Sequence, residues 1–148
     1  MTTNNKPTPQ VTILDIEPEG IEIPLFEAGV SAGFPMAVHS FTDSSINLSD
    51  ELIRNKKTTF AVRVNGQSMI DAGIEDQDLL IVDKALEPQD KQIILAVING
   101  EFTVKRLIRD KNDLYLQAEN TSYAPIKINE NMDFRIWGVV LGVIKKMV

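Results

Sequence analysis

Two residues of this 148-residue chain have side chains that could together break an amide bond. Ser68 lies just beyond the alternating segment 59–64, where turn-forming residues begin. Lys105 lies in the otherwise apolar segment 101–107, which follows the dipeptide Asn99-Gly100. A serine hydroxyl beside a lysine that has lost its charge can carry out acyl transfer without histidine or metal. Ser68 and Lys105 are therefore a candidate catalytic pair.

The surroundings of the lysine follow from the Asn99-Gly100 dipeptide, a strong signal for a two-residue β-hairpin. Antiparallel pairing around this turn places Ile94 opposite Lys105 and Ala96 opposite Thr103. Apolar neighbours disfavour the charged form of a lysine, whose pKa would have to fall from about 10.4 to roughly 7 or 8 for general-base catalysis. From these residues alone, a lysine that extends its ammonium group into water and a serine that only caps a turn remain open alternatives.

Most of the remaining pattern has β character. Short apolar segments rich in branched residues alternate with turn residues, and they lie at 79–82, 93–98, 114–118, 126–128 and 134–144. One short helix is expected at 49–53, with Ser49 as its N-cap and acidic residues in its first turn. We predict a mainly β fold, curled and partly barrel-like, with an extended N-terminal arm and at most short helices.

The N-terminal part of the chain differs in composition from the rest. Residues 1–33 hold five acidic residues against one lysine, and four of the seven prolines. We interpret 1–33 as an arm with one short strand at 11–14, and 34–148 as a single β domain. The small residues in 28–33 would allow the arm to lie extended in a narrow cleft, although a plain flexible linker is the alternative.

The composition also excludes several classes of function. The chain has no cysteine and only one histidine, His39, so a zinc or iron site would need carboxylate ligands, and we expect no metal and no cofactor. A net charge of −6 disfavours direct nucleic-acid binding. No apolar run is long enough to span a membrane and no secretory leader is recognisable, so we expect a cytoplasmic protein.

The other polar and aromatic groups have simpler interpretations. His39 is expected at the surface or in a hinge. The acidic residues of 71–78 lack the spacing of a calcium loop, which favours a solvated loop. Phe134 and Trp137 are expected in the core or in a dimer interface.

Three stretches of the chain closely resemble the LexA/UmuD family of self-cleaving serine peptidases. They are Gly66-Gln67-Ser68-Met69, residues 78–83 and residues 99–107, and the likeness extends from about Ile23 to the C-terminus. The resemblance implies that Ser68 is the nucleophile and Lys105 the general base. It also implies that the scissile bond is Ala32–Gly33, and that the backbone N–H groups of Gln67 and Ser68 are the oxyanion donors.

Within this family, the chain is most similar to the accessory subunits of error-prone translesion DNA polymerases in the bacterial SOS response. The resemblance implies a homodimer, cleavage stimulated by a RecA filament on single-stranded DNA, and a partner polymerase of the UmuC type. Residues before about Ile21 have no assignable counterpart, and no helix-turn-helix motif is recognisable ahead of the cleavage loop. A non-enzymatic regulatory module or co-repressor of the same fold, and a signal-peptidase-like protease, are the alternatives.

Overall fold

A computed structural model describes residues 11–14, 22–25 and 44–148 of the protein. The described residues form two compact units. One contains residues 11–14 and 55–148, and the other contains residues 22–25 and 44–54. The predicted domain boundary at residue 33, the predicted scissile bond Ala32–Gly33 and His39 lie outside the described residues.

Strands dominate the described part of the chain, which confirms the prediction of a mainly β fold with short helices. In chain order the elements are β1 (Val11–Leu14), β2 (Glu22–Leu25), β3 (Ser44–Asn47), α1 (Leu48–Leu52), β4 (Thr59–Val64), a 3₁₀ helix (Ile70–Ala72), β5 (Leu79–Asp83), β6 (Ile93–Ile98), β7 (Glu101–Asp110), β8 (Asp113–Gln117), β9 (Ile126–Lys127) and β10 (Phe134–Ile144). The larger unit is one antiparallel sheet with the strand order β1-β4-β5-β10-β6-β7-β8-β9.

The smaller unit pairs β2 with β3 in antiparallel fashion and continues directly into α1. The sequence did not predict either strand, because β2 contains Pro24 and β3 consists largely of polar residues. The prediction that Ser49 is the N-cap of the helix was wrong. The cap is Asn47, whose side-chain oxygen accepts the N–H groups of Ser49 at 3.0 Å and Asp50 at 3.2 Å.

The hairpin of β6 and β7 has the predicted register. Asn99 and Gly100 have φ angles of +49° and +84°, as a two-residue turn of the mirror-image type requires, and Ile94 pairs with Lys105. Because side chains alternate across a strand, the hairpin supplies residues to two separate core clusters. One cluster contains Leu95 and Val104, and the other contains Ile94, Ala96, Leu107 and Leu116. The sheet therefore gives Lys105 apolar neighbours on its own face.

Two kinds of feature are absent from the residues that the structure describes. None of their helices is long and apolar enough to cross a lipid bilayer. No group of three or more histidine or carboxylate side chains in this part of the chain is arranged to hold a metal ion.

Candidate active site

Ser68 lies in a turn of residues 65–69, here called the serine turn, which follows β4 directly. Gly66 has a φ of +102°, a backbone conformation that favours glycine because a side chain would be strained there. Its N–H donates to the carboxylate of Asp76 at 2.8 Å, and the N–H of Gln77 donates to the carbonyl of Val64 at 2.7 Å. These bonds fix the start of the turn, and Ser68 is only 6% exposed.

Lys105 reaches the same place from β7, 37 residues further along the chain. Its Nζ lies 3.0 Å from Ser68 Oγ, 2.9 Å from Thr103 Oγ1 and 3.0 Å from the carbonyl oxygen of Val104. The lysine is 7% exposed, so these three oxygens take the place of water around its amine. The structure thus brings together the two side chains that the sequence pairs as nucleophile and base.

Burial changes the acid–base chemistry of this lysine. Desolvation lowers the pKa of Lys105 from 10.5 to about 8, because the charged form loses more hydration than the neutral form. This is the range that a general base requires near neutral pH.

The three contacts suit both protonation states of Lys105. As an ammonium group, it can donate one N–H to each of the three oxygens. As a neutral amine, it can donate its two N–H groups to Thr103 Oγ1 and the Val104 carbonyl, which leaves the nitrogen lone pair to accept the Ser68 O–H. Thr103 and Val104 therefore aim the lone pair of a neutral Lys105 at the Ser68 hydroxyl. The sequence placed Thr103 beside Lys105 without assigning it this contact.

A cleft of about 510 Å³ opens beside the Ser68–Lys105 pair. It is lined by Asn65, Gly66, Gln67, Ser68, Thr103, Lys105, Tyr123 and Ile126. Tyr123 is 52% exposed, so the wall formed by Tyr123 and Ile126 presents apolar surface to whatever enters the cleft. An extended peptide could therefore approach Ser68 from this side.

A second segment, Glu119–Asn120, which follows β8 in the chain, is hydrogen-bonded to the serine turn and to the residues just after it. The Asp71 N–H donates to the Glu119 carbonyl at 2.7 Å, and the Glu119 N–H donates to Met69 Sδ at 3.4 Å. The side-chain amide of Asn120 donates to the Gln67 carbonyl at 2.9 Å. The Glu119 carboxylate also accepts Nε of Arg106, which follows Lys105 in β7. The segment thus ties the strand of the lysine to the turn of the serine.

Sequence reasoning missed the role of this segment. The run Asn120-Thr121-Ser122 does carry the composition of a turn. Nothing in the local pattern, however, indicates which distant carbonyl the Asn120 side chain reaches.

The acidic residues of 71–78, predicted to lie in a solvated loop, are not all exposed. Asp78 is only 7% exposed, and its carboxylate accepts the Glu75 N–H at 2.7 Å and an ion pair from Lys145. These carboxylate contacts raise the pKa of Lys145. Asp71, Glu75 and Asp76 are exposed, as predicted.

Trp137 is 42% exposed and packs its ring edge-on against Phe102 with the centroids 5.3 Å apart.

Comparison with known proteins identifies the family of the chain. Residues 24–141 match the family described as Peptidase S24-like. Similar proteins include LexA repressors from Colwellia psychrerythraea (37% identical over 131 residues, 88% of this chain and 60% of the relative), Ectopseudomonas mendocina (36% over 141 residues, 86% and 69%) and Clostridioides difficile (38% over 128 residues, 86% and 59%). The chain spans about three fifths of the length of most of the curated relatives it matches. It belongs to the Peptidase S24-like family.

Proposed function

We propose that this protein is a latent serine peptidase that cuts its own Ala32–Gly33 bond, with Ser68 as nucleophile and Lys105 as general base. The observation that carries the proposal is the 3.0 Å contact between Ser68 Oγ and Lys105 Nζ in a buried site beside an open cleft. Membership of the Peptidase S24-like family supports peptidase chemistry on this fold.

The reaction follows from the two side chains. Neutral Lys105 takes the Ser68 hydroxyl proton while Oγ forms a bond to the Ala32 carbonyl carbon. The backbone N–H groups of Gln67 and Ser68 stabilise the resulting oxyanion. Lys105 then returns the proton to the Gly33 nitrogen as the Ala32–Gly33 bond breaks. Water, activated by the same lysine, releases Ala32 from the acyl enzyme.

The position of the Lys105 pKa explains how such an enzyme stays latent. With a pKa of about 8, only about one lysine in ten is neutral at pH 7, and cleavage also needs the arm to occupy the cleft. The fraction of molecules ready for cleavage is the product of the fraction with neutral Lys105 and the fraction with the arm in the cleft, and both are small. A RecA filament on single-stranded DNA would favour the competent state in the cell, and raised pH would replace part of this stimulus.

We further propose that the shortened chain acts in the cytoplasm as a homodimeric accessory subunit of a UmuC-type translesion polymerase, as UmuD does in the SOS response. The support is the likeness in residues 66–69, 78–83 and 99–107. The net charge of −6 also favours a protein partner over direct contact with DNA.

A second candidate function is a regulatory module or co-repressor of the same fold. The similarity to proteins named LexA repressor favours this alternative. Binding of the processed chain to a purified UmuC-type polymerase, without effect on operator DNA occupancy, would favour the accessory role. The opposite pair of results would favour the regulatory role.

Intact mass against time tests the peptidase proposal. We expect a fragment beginning at Gly33, formed about ten times faster at pH 10 than at pH 7 because the neutral fraction of Lys105 rises by that factor. Ser68→Ala and Lys105→Ala should form none, whereas Lys127→Ala, a lysine with a 57% exposed side chain, should match the unmodified chain. Equal cleavage in Lys105→Ala would show that the assigned base is wrong. Absence of the fragment even with a RecA filament would refute the peptidase function.

A further inference from the structure

Both ends of the Asn120 side chain are held. Its Oδ1 accepts the N–H of Ser122 at 3.0 Å, and its Nδ2 donates to the carbonyl of Gln67 at 2.9 Å. Because a backbone N–H must face the oxygen, the partners also fix which end of the amide faces Gln67. Asn120 therefore offers a hydrogen-bond donor of known direction to the serine turn.

The Gln67 carbonyl belongs to the peptide that carries the Ser68 N–H. A trans peptide is planar, so its C=O and N–H point in opposite directions, and the described residues contain no cis peptide. Fixing the direction of the Gln67 carbonyl consequently fixes the direction of the Ser68 N–H. The N–H of Ile70 also contacts this carbonyl at 3.3 Å, but Ile70 follows the serine turn directly in sequence, so this contact is local. Asn120 acts from a segment 53 residues away in the sequence.

We propose that Asn120 is a positioning residue for catalysis, and that its amide orients the Gln67–Ser68 peptide so that the Ser68 N–H meets the developing oxyanion. This inference rests on the proposed peptidase function and adds to it. The Ser68 oxygen attacks the Ala32 carbonyl, whose oxygen gains the negative charge, and a preorganised N–H stabilises that charge without having to reorient. Asn120 itself touches no reacting atom.

The contacts of the base predict how the loss of Asn120 would appear. Lys105 Nζ is held by Ser68, Thr103 and Val104, whereas the Asn120 amide is directed at Gln67. Removing the Asn120 donor should thus lower the cleavage rate at every pH and leave the midpoint of the pH–rate profile in place. A general loosening of the site would instead hydrate Lys105 and move the midpoint upward.

The chain contains a matched control for this experiment. Asn129 forms the same turn as Asn120: its Oδ1 accepts the N–H of Asn131 at 3.0 Å and its carbonyl accepts the N–H of Met132 at 3.2 Å. The corresponding bonds of Asn120 go to Ser122 and, at 3.1 Å, to Tyr123. Asn120 differs in its additional bond to the serine turn. Substitutions at Asn129 therefore measure the effect of the turn alone.

The test compares self-cleavage rates of Asn120→Ala, Asn120→Asp and Asn129→Ala from pH 6 to pH 10 by intact mass. We expect both Asn120 variants to be about 10- to 100-fold slower, with the midpoint of Asn120→Ala still near pH 8. Asn120→Asp keeps the oxygen that caps the turn, replaces the donor with a second oxygen and adds a negative charge, so its rate tests the contact even if the alanine variant is poorly folded. Asn129→Ala should stay within about twofold of the unmodified chain.

Four results would count against the inference. Unchanged rates in folded Asn120 variants would refute the positioning role while leaving the peptidase function intact. A midpoint that rises in Asn120→Ala, or an equal loss in Asn129→Ala, would show a general structural effect and also refute it. If the unmodified chain is not cut at any pH or with a RecA filament, the proposed function fails and this inference fails with it.

Discussion

At the scale of single residues, Lys105 is the side chain for which chemistry and stability make opposite demands. Its amine is buried beside Ser68 with Thr103 and Val104 as further partners. Burial lowers the pKa of Lys105 to about 8, which makes the lysine a usable base. The same burial disfavours the folded protein at any pH where an exposed lysine would be charged.

The stability cost of Lys105 should vary with pH. Below about pH 8 the lysine is protonated in both the folded and the unfolded chain, and the full stability cost applies. Between about pH 8 and 10.5 the unfolded chain binds more protons than the folded chain, so rising pH removes this cost. The full amount is about 3 kcal/mol, because lowering a pKa by one corresponds to about 1.36 kcal/mol. We therefore expect Lys105→Met to raise the free energy of unfolding at pH 7, and this advantage to shrink by about 3 kcal/mol at pH 10.5.

Urea unfolding at both pH values measures this difference, with both chains carrying Ser68→Ala so that no cleavage intervenes. Lys127→Met, at a side chain that is 57% exposed, is the control and should show no such pH dependence. If the free energy of unfolding varied with pH in the same way for Lys105→Met and for the chain that keeps Lys105, the Lys105 amine would be hydrated in the folded protein.

At the scale of elements, local pattern predicts the strand that carries Lys105 but not the contacts that complete the candidate site. The branched-residue runs and the Asn99-Gly100 turn are local signals, so the bounds of β4 and β6 and the pairing of Ile94 with Lys105 followed from them. The helix cap was misplaced by two residues because Asn47 and Ser49 are both good caps, and only the backbone path selects between them.

The remaining contacts of the site join segments that are far apart in sequence. The bond of Asn120 to Gln67 and the burial of Asp78 under Lys145 depend on how the strands assemble. Periodicity indicates which face of a strand is apolar, but not which loop lies above it. For the Ser68–Lys105 pair, the family resemblance supplied what pattern alone left open.

A tight strand contact at Gly138 gives a prediction at this scale. In β10, which lies between β5 and β6, a Cβ at Gly138 would come within 2.6 Å of Val82 Cγ1 and 2.9 Å of the Asp83 carbonyl. The backbone of Asp83 cannot move aside as a flexible side chain can. We expect Gly138→Ala to lower the free energy of unfolding by about 1–3 kcal/mol, measured by urea denaturation.

A double-mutant cycle with Val82→Ala identifies the cause. Shortening Val82 removes one of the two close contacts, so Gly138→Ala should cost less in that background. If the two substitutions are simply additive, contact with the Val82 side chain is not what excludes alanine. If Gly138→Ala costs nothing in either background, the strands are not packed this tightly at Gly138.

At the scale of the whole molecule, the proposed cleavage would cut the chain between strands that are paired in the intact protein. The fragment 1–32 contains β1, which pairs with β4 through four residues, and β2, which pairs with β3 through four residues. In the intact chain these pairings are intramolecular. After cleavage they would have to offset the entropy of association, an estimated cost of about 4–15 kcal/mol.

We expect fragment 1–32 to dissociate after cleavage at micromolar concentration. Among the described residues of this fragment only eight pair in strands, one of them Pro24, and the two fragments carry net charges of the same sign: −4 for residues 1–32, from five acids and Lys6, and hence −2 for the remainder of the −6 total. Size-exclusion chromatography of the processed protein should separate the fragments. The amides of Ala61–Val64 that pair with β1 should then exchange with deuterium faster than in uncut Ser68→Ala protein, while the β6–β7 hairpin stays unchanged.

The edge that dissociation would open is the strand that leads into the serine turn. β4 ends at Val64, which pairs with Val11 of β1, and an unpaired strand edge is a surface on which another chain can add a strand. Dissociation of the arm would in this way convert a masked edge into an accessible one. Co-elution of the two fragments with unchanged exchange at 61–64 would contradict this, and would mean that the nicked arm stays in place and that processing acts through the new N-terminus at Gly33 instead.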